Sequence, residues 1–366
     1  MSKRGKNIVV VCMTALFFAG FFVWCIAKPA DEYSDSERRR LAGAPTLSAK
    51  SVLSGAFAKE FETYSTDQFP LREQFRALDA VVRFYGLRQK DNQGVYVTDG
   101  YASRLEYPLD TGSLDRAAER FSYLYETYMK DTDVKLYFSI IPDKNYFLAG
   151  QNGYPSMDYK SLFQIMQEQT SYMHYIDITG LLDIADYYKT DAHWRQERIV
   201  DVAAHIGTAM GVALSGQYTE QLLDKPFYGV YYGQAALPLP AEELYYLDSE
   251  VLADCTVYDY ESGKTLGIYD MEKAHGKDPY EIYLSGSRSL LTIENPHGDP
   301  GRELIIFRDS FGSSLAPLLA EGYGKVTLVD IRYLSGRLLG DLVEFKNQDV
   351  LFLYSTQVLN NSVTLK

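Results

Sequence analysis

The chain has 366 residues, of which 46% are hydrophobic and 14% aromatic, and a net charge of −13 at pH 7. This length allows a full hydrophobic core without disulfide bonds. The acidic balance argues against nucleic acid, and against anionic lipid surfaces, as general electrostatic partners.

An uncharged apolar run over residues 8–27 follows the basic residues Lys3, Arg4 and Lys6. The run is long enough to cross a bilayer as one helix, and the basic flank places the N-terminus in the cytoplasm and the rest of the chain outside. A cleaved signal peptide is the alternative, but the run is longer than a usual signal core. The sequence therefore favours an uncleaved signal anchor over residues 1–27 and a single-pass protein of the cell membrane.

Cysteine usage agrees with an exported protein that needs no disulfide. Cys12 and Cys25 lie inside the apolar run, and only Cys255 lies outside it. An internal disulfide and a cysteine-based zinc site are thereby excluded from the exported part. The remaining histidines show no mutual metal-ligand spacing, so we expect no metal and no cofactor.

Residues 28–93 are predicted to form a juxtamembrane spacer followed by helices. Residues 31–44 are polar and charged, whereas residues 47–87 carry apolar side chains at helical spacing. Pro70 is expected to divide this amphipathic stretch into two helices.

Residues 94–366 are predicted to form an α/β domain, because apolar strand-like runs alternate with helical patterns. The five runs expected to form parallel strands begin at Val134, Tyr175, Leu304, Val326 and Val350. Helices are expected over 113–130, with Ser113 as the N-cap, and over 157–173, 194–210, 311–321 and 334–345. Residues 215–299 interrupt this alternation and indicate a β-rich insertion.

A candidate nucleophile lies where the apolar run 304–307 ends at Arg308, Asp309 and Ser310. A helical pattern begins directly afterwards, so Ser310 is expected at the carboxyl end of a strand with a helix N-terminus behind it. This arrangement exposes a hydroxyl and can stabilise an oxyanion. Helix capping by the Asp-Ser pair is the alternative explanation.

A candidate base lies in the segment Thr190-Asp-Ala-His-Trp-Arg195. A serine nucleophile needs a base, and the base needs an orienting carboxylate. His193 and Asp191 supply both groups, two positions apart. Half of a metal site is the weaker interpretation, because no other histidine or cysteine clusters with them in sequence.

The chain resembles the DHHW proteins of Gram-positive bacteria, which are similar to the SGNH-like domain of alginate-type polysaccharide O-acetyltransferases. The segment Thr190-Asp-Ala-His-Trp-Arg195 matches the motif that gives the family its name, except that Ala192 replaces the first histidine. The other matching blocks are Ser36-Glu-Arg-Arg-Arg-Leu41, Asp67-Gln-Phe-Pro-Leu-Arg72, Ile141-Pro-Asp-Lys-Asn-Tyr146, Tyr283-Leu-Ser-Gly286 and the segment 302–333.

The resemblance implies an SGNH-hydrolase-like parallel sheet flanked by helices, in permuted order with the Asp/His block ahead of the Ser block. It implies that Ser310 is the nucleophile, His193 the base and Asp191 the orienting group. It also implies acyl transfer or hydrolysis on a cell-surface polysaccharide, with a separate multi-spanning membrane acyltransferase as a partner that delivers the acyl group.

Further contacts are expected from residues near the predicted strand ends. The candidates for oxyanion or substrate binding are Gly286, Ser287, Gln357, Asn360, Lys144 and Trp194. Loop hydrogen bonding is the alternative for Gln357 and Asn360, and a hydrophobic anchor is the alternative for Trp194.

Two functions of different classes remain open from the sequence. The first is an extracytoplasmic O-acetyltransferase or acetylesterase with a Ser-His-Asp triad. The second is a non-catalytic polysaccharide-binding or scaffold protein of a cell-envelope glycan assembly on the same fold. Arg308 and the Ser285-Gly286-Ser287 run depart from the hydrolase pattern and favour the second function, whereas the retained triad favours the first.

Overall fold

The computed structural model describes residues 2–366. They divide into two compact units, one made of residues 2–92 with Tyr232–Pro238 and the other of Gln93–Tyr231 with Leu239–Lys366. The helices are α1 Lys3–Ala27, α2 Ala49–Leu53, α3 Ala56–Asp67, α4 Arg72–Val81, α5 Thr111–Leu124, α6 Lys144–Asn152, α7 Tyr159–Gln169, α8 Val200–Ala209, α9 Val230–Ala235, α10 Glu250–Asp254, α11 Met271–Ala274, α12 Gly312–Ala320 and α13 Thr356–Leu359. The strands are β1 Tyr33–Ser34, β2 Arg39–Arg40, β3 Val95–Thr98, β4 Tyr101–Arg104, β5 Lys135–Ile141, β6 His174–Tyr175, β7 Thr219–Leu222, β8 Tyr245–Asp248, β9 Thr256–Asp259, β10 Lys264–Leu266, β11 Leu290–Glu294, β12 Glu303–Arg308, β13 Lys325–Val329 and β14 Asp349–Ser355.

The first unit begins with α1, which has 25 residues and the length and composition to cross a membrane. Its most apolar window has a mean hydropathy of 2.5, and none of that window is buried. The amphipathic stretch after it breaks at Pro70, as predicted, where α3 gives way to α4. A second break, between α2 and α3, lies at Gly55, whose φ of 77° a β-carbon would disfavour.

The second unit is built on an eight-stranded sheet with the order β10-β9-β11-β13-β12-β14-β5-β6. The five strands predicted from the sequence lie side by side and run parallel. Strands β9, β10 and β11 continue the same sheet in antiparallel pairing. These three strands come from the stretch predicted to be a separate insertion, so that stretch contributes to the main sheet as well as forming the pair β7–β8.

Both faces of the sheet are buried, which explains why its central strands read as continuous apolar runs. Along β12, Leu304 and Ile306 pack into one core with α8 and α12. Ile305 and Phe307 pack into the other core, with α5 and α7. The predicted α/β architecture, a parallel-rich sheet flanked by helices, is therefore confirmed.

Several predicted helix ends are wrong. Helix α5 begins at Thr111, and its N-cap is Asp110, whose carboxylate accepts from the backbone N–H of Ser113. The stretch 194–199 does not belong to α8, because the buried Gln196 side chain binds two other segments and holds it in a loop and a short 3₁₀ turn. Residues 334–345 form only the 3₁₀ helix Gly336–Asp341, in which two glycines disfavour an α-helix.

Candidate active site

Ser310 lies on the turn between β12 and α12, at the carboxyl end of a strand that has parallel neighbours on both sides. The buried carboxylate of Asp309 fixes this turn. Its Oδ1 accepts from the backbone N–H of Phe311 at 3.0 Å, and its Oδ2 accepts from the backbone N–H of Ser355 at 2.8 Å. Asp309 thus ties the turn that carries Ser310, the candidate nucleophile, to the end of the neighbouring strand β14.

Arg308, directly before this turn, is completely buried. Its Nη1 donates to the Ser313 hydroxyl at 2.9 Å, while Nε and Nη2 have no partner within residues 2–366. Its side chain runs beneath Gly312, where an added β-carbon would lie 2.7 Å from the Arg308 β-carbon. Burial lowers the pKa of Arg308. Any residue with a β-carbon at position 308 therefore requires glycine at the first residue of α12, and the Arg308 side chain adds contacts at 3.2 and 3.3 Å.

The structure brings Ser310, His193 and Asp191 together. Nε2 of His193 lies 2.8 Å from the Ser310 hydroxyl oxygen, and Nδ1 lies 2.6 Å from Oδ1 of Asp191. Asp191 is completely buried, and its Oδ2 accepts from the backbone N–H of Val230 at 2.8 Å. A carboxylate held in this way keeps the Nδ1–H tautomer of the ring and leaves Nε2 free to accept the serine proton.

The segment that carries Asp191 is fixed by a carboxylate from another part of the fold. Oε1 of Glu242 accepts from the backbone N–H of Thr190 at 2.6 Å and from its hydroxyl at 2.5 Å. The backbone at Gly229 packs so closely against Asp191 that an added β-carbon would lie 2.3 Å from the Asp191 Cα. The loop before α9 therefore supports the segment 190–195, which we call the base segment because it carries the candidate base His193.

Two aromatic rings hold the His193 imidazole. Tyr280 stacks on it with centroids 4.0 Å apart and planes 9° apart, and Phe311 lies 4.9 Å away. The Tyr280 hydroxyl is 2.9 Å from the hydroxyl of Ser314 on α12. These contacts restrict the ring to the plane that joins Asp191 to Ser310.

Trp194 is completely buried, and its indole N–H donates to the Phe311 carbonyl at 3.2 Å and to the Ser314 hydroxyl at 2.9 Å. It anchors the base segment to the start of α12. Its burial fits the hydrophobic-anchor alternative given for Trp194 and corrects its candidate role in substrate binding, because no face of its ring is exposed.

Lys144 is also buried, with 1% of its surface exposed. Its Nζ donates to the backbone carbonyls of Tyr188 at 2.8 Å and Lys189 at 3.1 Å, just before the Asp191 segment. Burial lowers the pKa of Lys144 to about 7. The predicted substrate contact of Lys144 is corrected to a positioning role, since its buried ammonium group holds the backbone of residues 188 and 189 in place.

The candidate oxyanion donors differ in availability. The backbone N–H of Ser310 has no acceptor within residues 2–366, so it is free to bind an oxyanion. The N–H of Gly286 already donates to the Tyr283 carbonyl at 3.1 Å, and the Asn360 amide is engaged with Pro108 and Asp110. The predicted oxyanion roles of Gly286 and Asn360 are therefore wrong, because the groups that would bind the oxyanion already bind other parts of the chain.

Ser287 and Gln357 remain as sequence-predicted candidates. Ser287 lies on an exposed bend. The Gln357 side chain is half-buried and donates to the Tyr231 hydroxyl at 2.8 Å. Tyr231 directly follows Val230, whose backbone N–H donates to Asp191. Gln357 therefore contacts the segment that supports Asp191.

A polar cavity of about 510 Å³ lies at the same carboxyl edge of the sheet. Its lining includes residues that follow β13 and β14, the strands on either side of β12. The other lining residues come from the end of β4 and the segment that follows it. The lining comprises Arg104, Leu105, Glu106, Tyr107, Arg332, Tyr333, Gln357, Val358, Asn360, Asn361 and Thr364. Burial, then the charge of Asp143, raises the pKa of Glu106 to about 7. Tyr107 and Tyr333 are 64% and 51% exposed, so their rings are open to a ligand.

Sequence reasoning missed several residues of the site. The backbone N–H of Val230, the Glu242 carboxylate and the Tyr280 ring support the site from segments far away in the sequence, and the nearest of them, Val230, is 39 positions from Asp191. No local pattern marks them, and Tyr280 is one of 31 tyrosines. Within residues 2–366, no group of three His, Cys, Asp or Glu side chains is placed to hold a metal ion.

Neither a family model nor a curated protein sequence matches this chain. Solved structures do match its fold. A DHHW family protein from Eubacterium siraeum DSM 15702 is 20% identical, with a TM-score of 0.61 over 75% of this chain and 95% of that chain. Bacillus cereus PatB1 is 18% identical, with a TM-score of 0.57 over 72% of this chain and 96% of that chain. PatB1 with a sulfonyl adduct gives a TM-score of 0.58 at 18% identity, over 72% of this chain and 95% of that chain.

The fold is that of a DHHW family protein. The resemblance predicted from the sequence blocks is therefore confirmed at the level of the fold.

Proposed function

We propose that this chain is a membrane-anchored, extracytoplasmic O-acetyltransferase or acetylesterase that acts on a cell-surface polysaccharide. Ser310 is the nucleophile, His193 the general base and Asp191 the group that orients it. In this proposal residues 1–27 are the anchor, 28–93 the juxtamembrane segment and 94–366 the catalytic domain.

The observation that carries the proposal is the unbroken hydrogen-bond chain from Asp191 through His193 to Ser310, with distances of 2.6 and 2.8 Å. Capping alone would not need a histidine at Ser310 or a buried carboxylate behind that histidine. Nucleophile, base and orienting group within hydrogen-bond reach are the geometric signature of serine acyl transfer.

The first half-reaction transfers an acyl group to the enzyme. The Ser310 oxygen attacks the donor carbonyl while Nε2 of His193 takes the hydroxyl proton, and Asp191 stabilises the imidazolium. The oxyanion that forms is bound by the free N–H of Ser310, on the turn that precedes α12. The tetrahedral intermediate then collapses, the leaving group receives the proton from His193, and Ser310 carries the acyl ester.

The second half-reaction removes the acyl group. His193 accepts a proton from the incoming hydroxyl, whose oxygen attacks the ester carbonyl, and Ser310 leaves with that proton. If the hydroxyl belongs to a sugar the product is an acylated glycan, and if it belongs to water the product is the free acid.

The cavity at the carboxyl edge of the sheet, whose lining does not include Ser310, His193 or Asp191, has groups that suit a sugar acceptor. Arg104, Gln357 and Asn361 offer hydrogen-bonding groups, and the exposed rings of Tyr107 and Tyr333 offer flat apolar faces. Polar groups with aromatic faces match a carbohydrate ring, which presents hydroxyls at its edge and C–H groups on its faces. This lining supports a polysaccharide as the acceptor.

Helix α1 supports the proposed location, since its length and composition allow it to anchor the chain in the cell membrane. One helix cannot carry an activated acyl donor across the bilayer. We therefore propose a multi-spanning membrane acyltransferase as the partner that supplies the acyl group.

The test is the hydrolysis of p-nitrophenyl acetate by the full chain in detergent. We expect wild type to turn over and Ser310→Ala and His193→Ala to lose turnover, whereas Ser171→Ala, a change at an exposed serine outside the site, keeps it. Equal rates for wild type and Ser310→Ala would contradict the proposal. No turnover by wild type, together with polysaccharide binding, would favour the non-catalytic scaffold function.

A further inference from the structure

Five apolar side chains form an exposed row on the helix that follows Pro70. They are Leu71, Phe75, Leu78, Val82 and Tyr85, spaced four, three, four and three residues apart, and we call them the apolar stripe. The segment is α4 extended by the π-helical turn Val82–Gly86. Each side chain is between 43% and 70% exposed. A continuous apolar row on one face of an exposed helix marks an interaction surface.

The opposite, charged face of α4 is fixed by two sequence blocks that the proposed chemistry does not use. Arg72 and Arg76 pair with Glu37 at 2.5 and 3.3 Å. Arg39 binds the buried carboxylate of Asp67 with two hydrogen bonds, at 2.6 and 2.9 Å. We call these five residues the charged clamp. Because it occupies the polar face, the clamp leaves α4 no freedom to turn the apolar stripe inward.

The stripe is continuous with the helix of membrane-spanning length. Phe21 of α1 lies 5.8 Å from Phe69, ring centroid to centroid, and 6.2 Å from Phe75 of the stripe. Phe21 precedes the end of α1 at Ala27 by six residues. At 1.5 Å per residue, that is about 9 Å below the end of the helix. Where α1 crosses a membrane, Phe69 and Phe75 consequently lie at the depth of the outer leaflet.

This depth agrees with that of interfacial helices, whose apolar faces lie about 5–10 Å into the boundary between headgroups and acyl chains. The local charge agrees as well. Residues 28–92 contain 11 Lys and Arg against 10 Asp and Glu, so the strong acidity of the chain lies elsewhere. The segment next to α1 is therefore not repelled by a negatively charged leaflet.

We propose that the apolar stripe of α4 lies in the outer leaflet of the membrane that α1 crosses, and that the charged clamp holds it there. The occupant of this surface is lipid. The juxtamembrane helices are thus a second membrane contact that fixes the orientation of the first unit on the bilayer, rather than a flexible spacer. The inference rests on the proposed anchor and is independent of the acyl-transfer chemistry.

The test measures the depth of single fluorescent labels in the full chain, reconstituted in phosphatidylcholine vesicles without other proteins. Cys12, Cys25 and Cys255 are replaced by serine, and nitrobenzoxadiazole is attached to Leu78→Cys on the stripe. A label on Phe17→Cys in α1 reports whether the proposed anchor has entered the membrane. Val363→Cys is the matched control, because Val363 is an exposed apolar residue, at 72%, in the other unit.

We expect lipid-borne nitroxide quenchers to reduce the fluorescence of the Phe17 and Leu78 labels and to leave the Val363 label unchanged. Quenching at Phe17 without quenching at Leu78 would overturn the stripe proposal while the anchor stands, and would point to a protein occupant. Quenching at neither position would overturn both the stripe and the anchor. Equal quenching at Leu78 and Val363 would also overturn the proposal, since the contact would not be specific to the stripe.

Discussion

Asp191 is the side chain that fixes the tautomer of the His193 ring. Buried and bound to both the His193 ring and the Val230 N–H, its carboxylate decides which imidazole nitrogen carries the proton. An asparagine would retain the shape but could present its NH₂ group to Nδ1 and favour the wrong tautomer.

We therefore expect Asp191→Asn to lower kcat toward p-nitrophenyl acetate by about 10⁴ at nearly unchanged stability. Steady-state kinetics and thermal melts measure the two quantities. Asp341→Asn, at an exposed position, is the matched control and should have no effect. A fall of less than tenfold in Asp191→Asn would show that the carboxylate does not set the tautomer.

Glu106 gives a prediction of pH dependence, since burial raises its pKa to about 7 from an ordinary value of 4.5. Between these two values the folded protein holds a proton that the unfolded chain releases, so the contribution of Glu106 to stability falls as pH rises through 7. Glu106→Gln should remove this dependence. Relative to wild type, its Tm should therefore rise between pH 5 and pH 8, and a constant Tm difference would refute the assignment.

At the scale of elements, α12 depends on the contact between Gly312 and Arg308. A β-carbon at Gly312 would lie 2.7 Å from the Arg308 β-carbon, well inside van der Waals contact. We expect Gly312→Ala to destabilise the fold by about 1–3 kcal/mol, as overpacking does.

Gly150→Ala is the matched control for this change, because Gly150 lies within α6 and nothing stands within 4 Å of its added β-carbon. It should stabilise the protein by up to about 1 kcal/mol through helix propensity. Urea unfolding measures both variants. The contact would be disproved if Gly312→Ala were as stable as wild type.

The elements were predictable where the cause is local. Strands buried on both faces appear as apolar runs, so four of the five parallel strands were found for this reason, and the turn at Asp309 and Ser310 was found with them. The run that begins at Tyr175 was matched only by the two-residue strand β6, which is not buried. The helix expected over 334–345 was wrong because apolar spacing outweighed two glycines in the prediction. Support of His193 by Tyr280 and of Asp191 by Val230 was not predictable, because these contacts join distant segments.

At the scale of the whole molecule, the chain separates into a unit that contains α1 and a unit that contains Asp191, His193 and Ser310. We expect the full chain to sediment with membranes and to resist carbonate extraction, because the 25 residues of α1 have the length and composition of the proposed anchor. Removal of residues 1–27 should release the chain into the carbonate supernatant. Immunoblotting of the two fractions measures this, and equal retention of both forms would contradict the anchor.

The central claim, that Ser310 is an activated nucleophile, is tested most directly with phenylmethylsulfonyl fluoride. PatB1, which shares this fold, is known with a sulfonyl adduct. We predict one adduct per chain by intact mass, mapped to Ser310 by peptide sequencing, lost in Ser310→Ala and strongly slowed in His193→Ala. An unmodified wild type, or an adduct that persists in Ser310→Ala, would contradict the account.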